Sequence, residues 1–174
     1  VIKGHICYSQ DKSTLKVYES SYLVCVNGKS KGIFENLPSE YKDLPLKDYG
    51  DKLIIPGMVD LHVHAPQYAF RGMCMDLELM DWLNQYTFPE EEKYTNLDYA
   101  EKAYSIFTKA LKKSATTRAC IFATRHREAT VLLMELMEKT GLVSYVGKVN
   151  MDREASKALI EESAESSAYN TFGW

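Results

Sequence analysis

Alternation of apolar strands and amphipathic helices constrains this fold more than any other feature of the sequence. The strand patterns cover 53–64, 116–123 and 143–149, and the helical patterns cover 77–86, 99–111 and 128–139. Strands that alternate with helices pair in parallel, because each crossover helix returns the chain to the same end of the sheet. We therefore predict a parallel α/β unit with three strands.

The sequence between and after the helical patterns predicts a connection and one further helix. Pro89 and the acidic run Glu90-Glu91-Glu92 are typical of a connection, and we expect them to separate the first two helices. A further helical stretch, 155–168, is predicted to be the next crossover. Since a closed barrel of eight such units takes about 250 residues, we expect this chain to hold only part of one.

A small β segment is predicted to precede the α/β unit. An apolar run over 22–26, the pair Asn27-Gly28 and a second run over 32–34 together indicate a hairpin. The prolines at 38 and 45 mark an irregular connection after it. We place the boundary after Gly50, which gives a β segment over 1–50 and the first part of a barrel over 51–174.

The composition argues against polyanionic and lipid partners. A net charge of −3, from 21 basic and 24 acidic residues of interspersed sign, creates no field that attracts nucleic acid or a membrane surface. The four cysteines form no C-x-x-C pair, and no signal segment or membrane span is recognisable. We expect a cytoplasmic protein.

The candidate chemical site lies on the first strand of the α/β unit. Side chains alternate between the two faces of a strand, so Asp60, His62 and His64 share one face. Two neutral imidazoles at the carboxyl end of a parallel strand can bind one metal ion, and zinc or iron suits nitrogen ligands. An isolated H-x-H is more often an ordinary pair of solvated histidines, but the preceding Pro-Gly and Asp60 favour a metal site. His126 is not assigned to it.

The segment Pro56-Gly57-Met58-Val59-Asp60-Leu61-His62-Val63-His64 resembles the P-G-x-x-D-x-H-x-H signature that opens the barrel of amidohydrolases. Several further segments resemble the guanine deaminases within that family; they are 64–68, 81–83, 86–90, 122–126 and 145–152. The resemblance implies a metal-dependent hydrolase with a TIM-like (β/α) barrel, of which this chain has the first part, preceded by a small β-sandwich segment. It also implies His62 and His64 as metal ligands.

The resemblance further implies an activity, the hydrolytic deamination of guanine to xanthine and ammonia by a metal-activated water. His64, Ala65, Pro66 and Gln67 would contact the substrate. The Gln67 amide offers a donor and an acceptor, as the N1 and O6 edge of guanine requires. No catalytic acid is assigned, because the family takes its remaining ligands and its proton-shuttling glutamate from later strands. A homodimer is a further implication.

Two alternatives remain open at this stage. The H-x-H is shared by related aminohydrolases and cyclic-amide hydrolases, so the substrate class could differ. The chain could also be an inactive, truncated part of such an enzyme, since two ligands are fewer than a zinc site normally has. We expect the 174 residues alone to retain little metal and to show no deaminase activity.

Overall fold

The computed structural model describes residues 1–161, and the chain divides into two compact units after Pro56. The first unit is a four-stranded sheet with the order β3-β2-β1-β4. Its strands are β1 (Ile2–Ser9), β2 (Leu15–Val26), β3 (Lys29–Phe34) and β4 (Lys47–Ile54). β2 pairs antiparallel with β1 and β3, whereas β4 lies parallel to β1. The predicted β segment is therefore present as one sheet.

The predicted hairpin is confirmed in its turn as well as in its strands. β2 ends at Val26 and β3 begins at Lys29, so only two residues connect them. Asn27 has a φ of 52° and Gly28 a φ of 74°. Positive φ at both positions defines a type I′ turn, whose twist matches that of the flanking strands and which favours the pair Asn-Gly.

The boundary between the units lies six residues beyond the predicted position. Gly50 lies inside β4, and Leu53 and Ile54 pair with His5 and Ile6 of β1. Residues 51–56 therefore belong to the first unit and not to the barrel segment. The apolar run at 53–55 was expected to lead into the next strand, but its partner is the strand that opens the chain.

The second unit contains a three-stranded parallel sheet with the order β5-β6-β7. Its strands are β5 (Met58–His64), β6 (Thr116–Phe122) and β7 (Val143–Gly147). Helix α3 (Leu97–Lys113) connects β5 to β6, and helix α4 (Arg127–Glu138) connects β6 to β7. The predicted parallel α/β unit is confirmed.

The core lies between this sheet and the two long helices. Its largest buried members are Tyr94, Tyr104, Phe107, Ile121, Leu133 and Met137. Alternation along β6 explains the arrangement, because Ala119 and Ile121 are buried in this core while Arg118 lies exposed on the other face. α3 begins at a side-chain cap, in which Asn96 Oδ1 accepts hydrogen bonds from the backbone N–H groups of residues 98 and 99.

The predicted separation at Pro89 is wrong. A helical segment runs without a break from α1 (Leu79–Trp82) through a π-helical turn (Leu83–Thr87) into α2 (Phe88–Glu92). Pro89 lies in the first turn of α2, directly after the π-helical turn. The connection falls at the short 3₁₀ turn Lys93–Thr95, so Glu90 and Glu91 are helical and buried.

The last predicted helix is not found where the structure describes the chain. β7 ends at Gly147, and residues 157–159 form a turn rather than helix. The remainder of the predicted stretch, 162–168, lies outside the described residues. Within residues 1–161, none of the helices has the length and apolar character needed to cross a bilayer.

Candidate metal centre

Two histidine side chains converge at the carboxyl end of β5. His62 and His64 point to the same face of the strand, as their spacing predicts, and their Nε2 atoms lie 3.1 Å apart. The ring centroids are 5.0 Å apart. Both rings therefore direct the same nitrogen towards a shared point.

The separation of these nitrogens fits two ligands of one metal ion. Zinc binds imidazole nitrogen at about 2.0–2.1 Å with tetrahedral geometry, which puts two such nitrogens about 3.3 Å apart. The observed 3.1 Å also suits a hydrogen bond between a protonated and an unprotonated Nε2. A metal ion can therefore take the place of the proton shared by the two Nε2 atoms with little movement of either ring.

The surroundings of His64 favour its neutral form. The side chain is half-buried, and burial, followed by the nearby His62 ring, lowers the pKa of His64. A neutral imidazole has a free lone pair for a metal ion, whereas an imidazolium has none. His64 Nδ1 is buried and has no hydrogen-bond partner among residues 1–161.

Asp60 lies on the same face of β5 as the two histidines, but its carboxylate does not lie where their Nε2 atoms converge. One of its carboxylate oxygens, Oδ1, accepts a hydrogen bond from the backbone N–H of His62 at 3.1 Å. Across residues 1–161, no three His, Cys, Asp or Glu side chains are grouped closely enough to hold a metal ion. The described part of the chain therefore offers a pair of ligands.

The segment that follows the second histidine is anchored at its start by two hydrogen bonds. The backbone N–H of Ala65 donates to the carbonyl of Phe122 at 3.0 Å. Pro66 opens a 3₁₀ turn, Pro66–Phe70, and its carbonyl accepts a hydrogen bond from the Tyr94 hydroxyl at 3.3 Å. Ala65 and Pro66 are buried, and Gln67 is half-buried on this turn.

His126 has a structural position apart from the histidine pair. Its Nε2 lies 3.3 Å from Thr95 Oγ1, which ties the segment after β6 to the segment before α3. Burial, and next the charge of Arg125, lowers the pKa of His126. These contacts place His126 in the packing between β6 and α3.

Sequence reasoning missed two residues near this edge of the sheet. The ring of Phe122 packs on both imidazoles, a contact that the period of two along β6 together with the parallel pairing could have revealed. Glu91 was predicted to lie in a connection between helices, yet it is 2% exposed and burial raises its pKa to about 7. The spacing of four between Thr87 and Glu91, both buried, was the available signal.

The sequence matches the Amidohydrolase family over residues 53–171, which is more than half of the chain. This chain belongs to the amidohydrolase family. Guanine deaminase from Rattus norvegicus is 40% identical over 134 residues, a match that covers 77% of this chain and 29% of the rat protein. The amidohydrolase assignment thus places the H-x-H pair in a family of hydrolases.

Two solved structures of this family share the fold. Guanine deaminase from C. acetobutylicum, with bound guanine in its active site, has a TM-score of 0.91 and 43% identity and covers 97% of this chain. E. coli guanine deaminase has a TM-score of 0.85 and 32% identity and covers 98%. The chain spans 40% and 41% of those two proteins. The predicted fold class, the first part of a TIM-like barrel after a β segment, is confirmed.

Proposed function

We propose that this chain contributes the first metal-binding strand and the substrate loop of a guanine deaminase. The observation that carries the proposal is the convergence of two imidazole nitrogens, 3.1 Å apart, at the carboxyl end of the first strand of the barrel. Active sites of parallel barrels are built at that end of the strands. The similarity to guanine deaminases over most of this chain supports the substrate.

The role of His62 and His64 is to hold one divalent metal ion through Nε2. We infer zinc, because neutral nitrogen ligands suit it, with iron as the other candidate. When bound, such an ion lowers the pKa of a water molecule to about 7 and so supplies hydroxide at neutral pH. The lowered pKa of His64 keeps that ring available as a ligand in the same pH range.

The loop after β5 would position the purine beside the metal centre. Ala65 and Pro66 are fixed by their hydrogen bonds to Phe122 and Tyr94, so the next residue, Gln67, starts from a defined backbone position. An amide presents a donor and an acceptor together, which matches the N1–H and O6 of guanine. Adenine presents an acceptor at N1 and a donor at its 6-amino group, so the Gln67 amide would have to adopt the flipped orientation to bind it.

The resemblance assigns the remaining steps to residues other than those described. Further metal ligands and the glutamate that carries a proton to the leaving ammonia would come from later strands of the barrel. Two imidazoles alone are fewer than the three protein ligands of a usual catalytic zinc site. The 174-residue chain by itself should therefore bind metal weakly and leave guanine unchanged, as the truncated-fragment alternative requires.

The experiment is a substrate comparison with an enzyme in which this chain is joined to the later barrel strands of a close relative. Release of ammonia would be measured with guanine, adenine and pterins, and ring opening would be measured with cyclic amides. We expect guanine to be preferred and Gln67→Ala to raise KM for guanine, while Gln85→Ala, an exposed glutamine on the π-helical turn, leaves it unchanged. Equal or greater turnover of a cyclic amide would favour the related-hydrolase alternative.

We infer a cytoplasmic location and guanine as the small-molecule partner. All four cysteines are free thiols, which supports a reducing compartment. The homodimer implied by the resemblance stays a prediction, to be tested by light scattering on the same enzyme.

A further inference from the structure

The ring of Phe122 lies against both candidate metal ligands. Its centroid is 4.9 Å from that of His64, with the two rings nearly parallel at 14°. It is 4.6 Å from that of His62, at an angle of 40°. One aromatic side chain thus contacts two imidazoles whose Nε2 atoms converge.

Strand pairing places Phe122 at this position. β5 and β6 are parallel, and His64 is paired with Phe122 in the register. Their side chains therefore leave the sheet side by side on the same face. Ile121, one residue earlier, is buried among the helices on the opposite face.

The flat apolar ring of Phe122 restricts the rotation of the two imidazoles. Each ring rotates about two side-chain bonds in the absence of contacts, and ordering it for a metal ion costs conformational entropy. Ligands whose rotamers are already fixed by packing bind a metal ion more tightly than mobile ones. Phenylalanine is suited to this role because it has no polar atom that would compete for the ring nitrogens.

The backbone of Phe122 has a related role. Its carbonyl accepts the hydrogen bond from the N–H of Ala65, the residue directly after the second ligand. Phe122 therefore contacts the two imidazoles through its ring and holds the start of the substrate loop through its backbone carbonyl.

We propose that Phe122 is a positioning residue for the metal centre, holding the His62 and His64 rings with their Nε2 atoms converged before the ion binds. This inference rests on the proposed metal-binding function of the two histidines. It assigns Phe122 no contact with the ion or the substrate.

The first test needs no metal. In the metal-free chain, a nearly parallel ring at 4.9 Å must shift the proton resonances of the His64 imidazole upfield, and Phe122→Leu must remove that shift. Ile121→Val is the matched control, because it changes the same strand on the other face and should leave the shift in place. An unshifted His64 spectrum in the unsubstituted chain would overturn the proposal, whatever happens on substitution.

The second test is a titration of the same chains with Zn²⁺. Loss of a residue that orients a ligand typically weakens metal binding by about 10- to 100-fold, so we expect Phe122→Leu to raise Kd by about 10-fold. Phe122→Tyr, which keeps the aromatic face but adds a hydroxyl, should weaken binding less than Phe122→Leu does. A folded Phe122→Leu chain with unchanged Kd would contradict the positioning role.

His62→Ala separates the two claims. If it leaves Zn²⁺ binding unchanged, the metal-binding function of the pair is wrong, and the positioning role falls with it. If it abolishes binding while Phe122→Leu has no effect, the metal site stands and only the role of Phe122 is wrong.

Discussion

Lys148 and Glu161 form a buried ion pair, with Nζ and Oε1 2.8 Å apart and side chains that are 4% and 3% exposed. Lys148 Nζ also donates to Asn150 Oδ1 at 2.7 Å, and Glu161 Oε2 accepts from the backbone N–H of Met151. These bonds close the segment after β7, at the carboxyl end of the parallel sheet where the histidine pair also lies.

Breaking this ion pair should destabilise the chain strongly. Lys148→Met removes the buried ammonium group that pairs with the Glu161 carboxylate, and breaking a buried ion pair in this way costs about 3–5 kcal/mol of unfolding free energy. Urea denaturation followed by circular dichroism measures it. Arg153→Met is the control, since its pair with Asp152 is exposed and should contribute less than about 1 kcal/mol. Equal losses in the two variants would show that the Lys148 pair is not effectively buried.

Glu91 should make stability depend on pH. Burial raises its pKa from 4.5 to about 7, so the folded chain keeps a proton that the unfolded chain releases. The stabilising contribution is complete below pH 4.5 and is lost as pH rises through about 7, in total about 3 kcal/mol. Glu91→Gln should remove this dependence from the unfolding free energy, whereas Glu101→Gln, at an exposed position on α3, should keep it. A parallel pH profile for Glu91→Gln and the unsubstituted chain would refute the assignment.

Substitution of Gly57 should destabilise the chain, because a larger side chain would clash with a neighbouring strand and not because of the backbone conformation at this position. A Cβ at this position would collide with the side chain of Thr117 on the neighbouring strand. Gly57→Ala should therefore cost about 1–3 kcal/mol, and Thr117→Ala in the same chain should recover part of it. Thermal unfolding compares these variants with Gly147→Ala, where an added Cβ meets nothing within 4 Å. If Gly147→Ala destabilises as much as Gly57→Ala, strand crowding is not the cause.

Local pattern was enough to predict the elements that build the second unit. Period-two alternation located β5 and β6, and spacings of three and four located α3 and α4 close to their observed bounds. The same alternation put His62 and His64 on one face, and their convergence followed from it.

The features that the sequence did not predict depend on contacts between distant residues, which a local sequence pattern does not reveal. Leu53 and Ile54 join the first sheet by pairing with β1, almost fifty residues earlier. Pro89 and Glu91 look like connection residues in sequence, but a π-helical turn ahead of them keeps the helix continuous and turns Glu91 towards the core. The partner of Lys148 lies thirteen residues away in a segment without periodicity, so nothing in the sequence singles it out.

The central claim is that one metal ion binds both imidazoles through Nε2, and anomalous X-ray diffraction at the zinc absorption edge tests it most directly. Crystals of the zinc-loaded enzyme that contains this chain should show one peak about 2.0–2.1 Å from His62 Nε2 and from His64 Nε2. A peak bonded to only one of the two rings, or located away from the carboxyl end of β5, would contradict the claim.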